Sequence, residues 1–253
     1  KYFSGEVFTP DELIMGLATG IRRGEIAPVF CGSAQQLEGV DQLLNGLRWL
    51  APWAETVAGE NGVDPDGNEV ALTVNENAQT AAIVFKSVVD PFVGKLLYFK
   101  VICGKVSPDT QLLNMRTGQQ EKIGKVFYVR GKKQEEAPYI GAGDIGAVAK
   151  LNNTNTGDTL CAPARPVVLP GIDFEKPSLS MAVVAKNKGD EEKIASGLQR
   201  MMEEAPTISY RTDPETHEQI LSGLGEQHLD VVASKLKSKF GVEIEMRPPK
   251  VAY

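Results

Sequence analysis

Leu13, Ile14, Leu17 and Ile21 recur at helical spacing behind Thr9-Pro10-Asp11-Glu12, a start signal in which Thr9 caps, Pro10 takes the first turn and Glu12 completes a capping box. Arg22, Arg23 and Gly24 supply the cationic end and the stop, so the pattern predicts a helix. The run from Ile26 to Cys31 is continuously apolar, which predicts a short strand buried on both faces, leading into a turn at Gly32-Ser33-Ala34. Val40, Leu43, Leu44, Leu47 and Leu50 then mark a second amphipathic helix, closed by Ala51-Pro52. Together these elements read as the tail of an α/β domain.

From Trp53 to about Thr80 the periodicity gives way to Gly, Asn, Asp and Glu, with a turn signal at Asp64-Pro65-Asp66-Gly67-Asn68, so this stretch reads as a linker. Between Ala81 and Cys161 short apolar or alternating runs are separated by Gly, Pro and Asp turns with no long helical pattern among them, which predicts a small antiparallel β-barrel. Pro163, Pro166 and Pro170 stiffen a second linker. Beyond it Ser178 to Lys186 alternates as a strand, Asp190 to Glu204 presents Ile194, Leu198, Met201 and Met202 on one helical face, and a hairpin spans Ile208 to Ser222. A helix over 225–240 and a strand over 242–246 complete the order βαββαβ, the ferredoxin-like split βαβ arrangement. The expected organisation is therefore α/β tail 1–53, linker 54–79, barrel 80–165, linker 166–173 and ferredoxin-like domain 174–253.

Composition narrows the class. Of the 253 residues 42% are hydrophobic and 24% charged, which excludes a disordered, collagen-like or disulfide-rich chain. No apolar run approaches the roughly 18 residues of a membrane span, and the first residues lack a basic segment followed by an apolar one. Cys31, Cys103 and Cys161 are far apart and odd in number, favouring neither disulfides nor zinc and fitting a reducing cytoplasm. Charge is segregated: the net −6 conceals a middle third, residues 80–165, with 12 basic and 7 acidic side chains, net +5. A basic module in an acidic chain is a candidate footprint for a phosphate backbone.

Five strings carry a resemblance. GSAQQLEGVDQLLNGLRWLAP resembles the last guanine-recognition loop and final helix of a translational GTPase. DPFVGKLLYFKV with AGDIGAV and NTGDTL is similar to that family's second domain, and ILSGLGEQHLDVVASKLKSKFGVEIEMRPPKVAY to its third. The family is elongation factor G, with the blocks in the same order. The resemblance implies that residues 1–53 are the C-terminal part of a P-loop GTP-binding domain with the end of its insert, that Gly32, Ser33 and Ala34 are a remnant of the guanine loop, and that the barrel lies against small-subunit ribosomal RNA. Lys86, Lys95, Lys105, Lys122, Lys125, Arg130, Lys132 and Lys133 are the candidate phosphate contacts on that barrel.

The resemblance also implies a ribosome-binding parent, without membrane or DNA partners, that uses GTP and magnesium to drive movement of tRNA and mRNA. This chain contains no Gly-x-x-x-x-Gly-Lys-Ser/Thr loop, so on its own it is expected to hold no cofactor and no metal and to be inactive as a GTPase. Asp64-Pro65-Asp66-Gly67 and Asn187-Lys188-Gly189-Asp190 match other GTPase motifs in letters alone, and the chain reads as an excised middle piece ending where a fourth domain would follow. His217 is expected to be exposed. Gly223, Gly225, Glu226 and His228 resemble the family's Gly-Met-Gly-Glu-Leu-His-Leu segment and are expected to serve structure and a domain interface rather than catalysis. Leu224 for Met and Gln227 for Leu point to a divergent paralogue. A ribosomal-protection or other specialised paralogue, and a stand-alone RNA-binding module, remain the alternatives.

Overall fold

Thr9 begins the first helix as its sequence requires: its hydroxyl accepts from the Glu12 amide at 3.3 Å while Glu12 Oε2 accepts from the Thr9 amide at 2.9 Å, and α1 runs Pro10–Arg22. The computed structural model describes residues 1–54, 59–90, 94–131 and 133–250, which fall into two compact units, Lys1–Gly59 and Glu60–Tyr253.

In the first unit α1 packs on α2 (Val40–Leu50). An apolar groove of about 450 Å³ lies between them, lined by Ile14, Met15, Ala18, Trp49 and Leu50, with Asp11 and Arg22 also bordering it. The expected strand at Ile26 to Cys31 does not form: the segment is irregular, and Val29 is 87% exposed. A strand exists only when a neighbour takes up its ladder of amides and carbonyls. None of the described residues of this unit supplies one beyond the single bridge Ser33–Glu38.

The second unit opens with a hairpin, β1 (Glu60–Val63) and β2 (Glu69–Leu72), inside the stretch read as a linker. Asp64 Oδ1 accepts from the amides of Asp66 and Asn68 at 3.0 and 2.8 Å, so Asp64-Pro65-Asp66-Gly67 serves as its turn. An eight-stranded antiparallel sheet follows, built from β3 (Ala81–Asp90), β4 (Gly94–Cys103), β6 (Gln111–Asn114), β7 (Gln120–Lys122), β8 (Val126–Arg130), β9 (Lys133–Ala137), β11 (Ile145–Ala149) and β12 (Thr159–Cys161). Its strand order is β7-β6-β12-β3-β4-β11-β8-β9, with a small pair of β5 (Lys105–Val106) and β10 (Ile140–Gly141). Alternate residues of these strands enclose one core, including Val84, Leu97, Phe99, Val101, Val126, Val148 and Leu160, so the sheet is the expected barrel.

A second cluster of Leu72, Ile102, Cys103, Cys161, Val167 and Leu169 seals the β1–β2 hairpin and the proline-rich segment together. Val63 and Val168 exchange both backbone hydrogen bonds at 2.8 Å. Gly62 is needed at this seam, because a Cβ there would lie 3.0 Å from the Val168 carbonyl and nearer still to the Val167 side chain. Residues 60–72 and 167–169, inside the two stretches expected to be linkers, are thus packed into the fold. Their apolar residues Leu72, Val167 and Leu169 are too sparse for a periodic signal, yet they find one another in the fold.

The remainder is a four-stranded sheet of order β14-β15-β13-β16, formed by β13 (Leu179–Ala185), β14 (Ser209–Thr212), β15 (Gln219–Gly223) and β16 (Ile244–Arg247). Helices α3 (Glu191–Glu204) and α4 (Glu226–Phe240) complete the βαββαβ order. Ile194, Leu198 and Met201 of α3 meet Leu229, Val232 and Leu236 of α4 and Val183 and Leu221 of the sheet. Asn187 to Asp190 is the turn leading into α3.

Candidate nucleic-acid interface

Most of the candidate cations on the barrel already face a carboxylate. Lys105 Nζ is 2.9 Å from Glu76, Lys122 Nζ 2.8 Å from Asp109 and Lys125 Nζ 2.7 Å from Glu136. Hydrogen bonding to those carboxylates raises the Lys105 and Lys122 ammonium groups above their ordinary pKa. Such exposed pairs contribute little stability, about 0–1 kcal/mol each, but each leaves no net charge for a ligand. Lys86 lies over the Tyr98 ring, 5.9 Å from its centroid. Lys95 donates to Asn155 Oδ1 at 2.7 Å, and burial pulls its pKa down against the opposing pull of the Glu203 carboxylate.

Arg130 and Lys133 differ from these. They are cross-strand partners at the tip of the β8–β9 hairpin and share one acid, with Arg130 Nη2 at 3.6 Å and Lys133 Nζ at 3.0 Å from Glu135. Lys132, the remaining candidate, lies outside the described residues. The seven described cations therefore do not act as one field: three are neutralised singly, Lys86 and Lys95 keep their charge beside neutral partners, and the two at the hairpin tip share one acid.

Beneath the barrel wall sits a polar cluster that the strand pattern gives no hint of. Arg116 donates to both oxygens of Asp158, from Nε at 2.6 Å and Nη2 at 2.9 Å, and also to the Asn153 carbonyl at 2.8 Å. The Asn114 amide donates to Asp158 Oδ2 at 2.8 Å, the Asn155 backbone amide does the same, and the Thr154 hydroxyl donates to Glu121 Oε1 at 2.6 Å. Burial works to raise the Asp158 pKa, but its hydrogen bonds from Arg116, Asn114 and Asn155 together leave it lowered. Gly157-Asp158-Thr159 thus shapes a turn, Gly157 with φ +95°, and also anchors Arg116 from 42 residues away. At a second turn, Asp144 Oδ2 accepts from the Tyr128 hydroxyl at 2.8 Å.

The barrel meets the split βαβ domain along β3. Glu204, the last residue of α3, accepts from the Val89 amide at 2.6 Å and from Lys239 of α4 at 2.9 and 3.0 Å, with its side chain only 16% exposed. A cavity of about 160 Å³ beside it is lined by Lys86, Ser87 and Val88 of β3 and by His228, Val231 and Lys235 of α4. His228 Nδ1 accepts from the Leu224 amide at 3.1 Å, which fixes the turn from β15 into α4. Gly223 is buried against Leu229 and His228, Gly225 precedes the first turn of α4, and Glu226 is exposed there. His217 is exposed in the hairpin turn. Among the described residues no cluster of His, Cys, Asp and Glu could hold a metal ion.

In the first unit Gly32, Ser33 and Ala34 line a shallow cavity of about 220 Å³ with Phe30, Glu38 and Leu43. Ser33 Oγ accepts from the Gln36 amide at 3.2 Å, so its hydroxyl is engaged within the turn. Among the residues lining this cavity there is no lysine.

Residues 79–163 match the family model for elongation factor G domain 2, and residues 174–248 match that for elongation factor G, domain III. The chain carries elongation factor G domains 2 and III. A crystal structure of a protein from Thermus thermophilus is similar at 28% identity with a TM-score of 0.78, the match covering 99% of this chain and 35% of that one. The chain thus spans about a third of the length of that relative.

In domain 2 the sequence singles out the lysines and gives no sign of Arg116, because two turn residues so far apart, one just after β6 and one just before β12, show no common period. In domain III it found His228 and missed Glu204. A signal was present: α3 ends in Glu203-Glu204 with no basic residue in its last turn. Carboxylates at a helix C-terminus face the negative end of the dipole, so their presence there asks for a cation or donor from elsewhere. No helix is long and apolar enough to cross a membrane among the described residues.

Proposed function

We propose that this chain is part of a ribosome-binding translational GTPase whose barrel rests on small-subunit ribosomal RNA and whose whole protein couples GTP hydrolysis to movement of tRNA and mRNA. The observation that carries this reading is the succession of elongation factor G domain 2 and domain III in one chain, with the net positive charge concentrated in the former. GTP and magnesium belong, on this reading, to a site outside the present residues. Gly32 to Ala34 offer no more than the edge of a guanine pocket, and the sequence holds no loop that would take the phosphates or the metal. The protein works in the cytoplasm, where ribosomes are. Gly223, Gly225, Glu226 and His228 act by holding domain III against domain 2 rather than by chemistry. A specialised paralogue is the second reading, favoured by Leu224 and Gln227 where the family has Met and Leu.

Co-sedimentation with purified ribosomal small subunits tests the proposal. Saturable binding at low salt that weakens as salt rises supports it. Failure to pellet at any salt concentration, or equal pelleting with unrelated RNA, excludes the ribosomal reading and favours a stand-alone module. Ribosome-stimulated GTP hydrolysis by the whole protein, with and without His228→Ala, then separates a translocase-like factor from a protein that only binds.

A further inference from the structure

We infer that the tip of the β8–β9 hairpin is the phosphate-gripping point of the barrel, with Arg130 and Lys133 together holding RNA backbone. This rests on the reading of the barrel as an RNA-facing module and says where on it the grip lies.

Arg130 and Lys133 occupy directly opposed positions in the antiparallel register. Two like charges at such positions destabilise a hairpin, so a fold selected for stability alone would not place them there. Glu135, further along β9 from the tip, partly offsets the repulsion. One carboxylate serves two cations, whereas Lys105, Lys122 and Lys125 each have an acid of their own. The hairpin tip thus carries one unmatched positive charge on its described side chains, and it holds both cations in the open. The Arg130 side chain is 77% exposed and that of Lys133 is 75% exposed.

Gly131, next to Arg130, has φ +60°, a left-handed backbone conformation that glycine takes without strain. β9 is the last strand of the eight, and among the described residues no strand of the sheet pairs with its outer side. A phosphate placed between guanidinium and ammonium supplies the second anion that the pair lacks. Arg130 can present two parallel N–H donors to it, and Lys133 a point charge. The interaction is with the backbone and does not read base sequence.

The cost to the fold and the gain in binding have opposite signs, and that opposition is the test. The whole chain would be titrated with a fluorescein-labelled fragment of small-subunit ribosomal RNA, by anisotropy, at about 50 and 200 mM salt. Arg130→Gln/Lys133→Gln is compared with Lys122→Gln/Lys125→Gln. Losing two phosphate contacts should lessen the slope of log affinity against log salt by about 1.8 on duplex RNA, taking the coefficient for double-stranded nucleic acid. Across that fourfold salt change, the hairpin variant should then lose about twelvefold less affinity than the unmodified chain. Its melting temperature should be unchanged or higher, while the Lys122/Lys125 variant should keep the original slope. A hairpin variant with the original slope, or one equalled by the Lys122/Lys125 variant, overturns the inference and leaves the RNA reading intact. Absence of binding by the unmodified chain at the lower salt overturns the RNA reading itself.

Discussion

Asp158 shows how much one side chain can organise: with 4% of its side chain exposed, it accepts from Arg116, from the Asn114 amide and from the Asn155 backbone. Removing the acid from such a network strands several donors at once. Asp158→Ala should therefore destabilise the chain by about 3 kcal/mol, measured by urea denaturation, whereas Arg116→Ala should cost less because half of the arginine side chain is already in water. Equal, small effects would show that the cluster is decorative. The sequence revealed Asp158 as a turn residue because Gly-Asp-Thr is a local signal. Its partner was hidden because the pairing of β6 with β12, which sets Arg116 beside Asp158, has no local signature.

Tyr128 offers a pH test. Burial first, and then its hydrogen bond to Asp144, push its phenol from 10.0 to about 12. A group raised in the folded state keeps its contribution below the unfolded pKa and loses it as pH rises through the folded one. Stability should thus fall between pH 10.0 and about 12, as the unfolded chain sheds the phenolic proton first. Phenolate absorbance of the folded chain should show a late-titrating step that loses one tyrosine's amplitude in Tyr128→Phe. Burial also raises the Tyr210 phenol, so an undiminished late amplitude in Tyr128→Phe, or a full complement of tyrosines titrating at the ordinary value, would refute the assignment.

At the scale of elements, the junction between β3 and α3 turns on a single carboxylate. The Val89 amide is met by Glu204 from the other domain. Glu204→Ala should speed exchange of the Val89 amide by about tenfold, equivalent to about 1.4 kcal/mol, while amides in the centre of β4 keep their protection. Lys239→Ala leaves the acceptor in place and should have a smaller effect. Unchanged exchange in Glu204→Ala would mean that Val89 is protected by something other than docking. The elements themselves were legible wherever a period repeats: the capped α1, the apolar faces of α2, α3 and α4, the alternating barrel strands. Ile26 to Cys31 failed because an apolar run states a wish for burial and does not name the neighbour that would grant it. The linker readings differ from the structure in the opposite sense at residues 60–72 and 167–169, where a few buried residues suffice for packing.

For the whole molecule, charge and motif content make a sharp expectation about nucleotide. The shallow cavity at Gly32 to Ala34, with no phosphate-binding loop in the sequence, should bind GTP no more tightly than about 1 mM, or about −4 kcal/mol. Calorimetry with GTP and magnesium at high protein concentration measures this, and a micromolar, guanine-selective isotherm would contradict it. Fold class was readable at this scale because three textures follow one another along the chain. The site was readable only in part, because net charge counts cations without knowing which of them are already matched.

The reciprocal bonds between Val63 and Val168 have a mechanical meaning. The chain enters the barrel and leaves it at the same seam, so a pull applied between residue 60 and residue 174 is borne by that seam before any barrel strand feels it. Domain 2 then behaves as a loop tied off at its neck, able to keep its shape while tension passes by, and strain reaches its interior only after the knot of Gly62, Val63, Val167 and Val168 has opened.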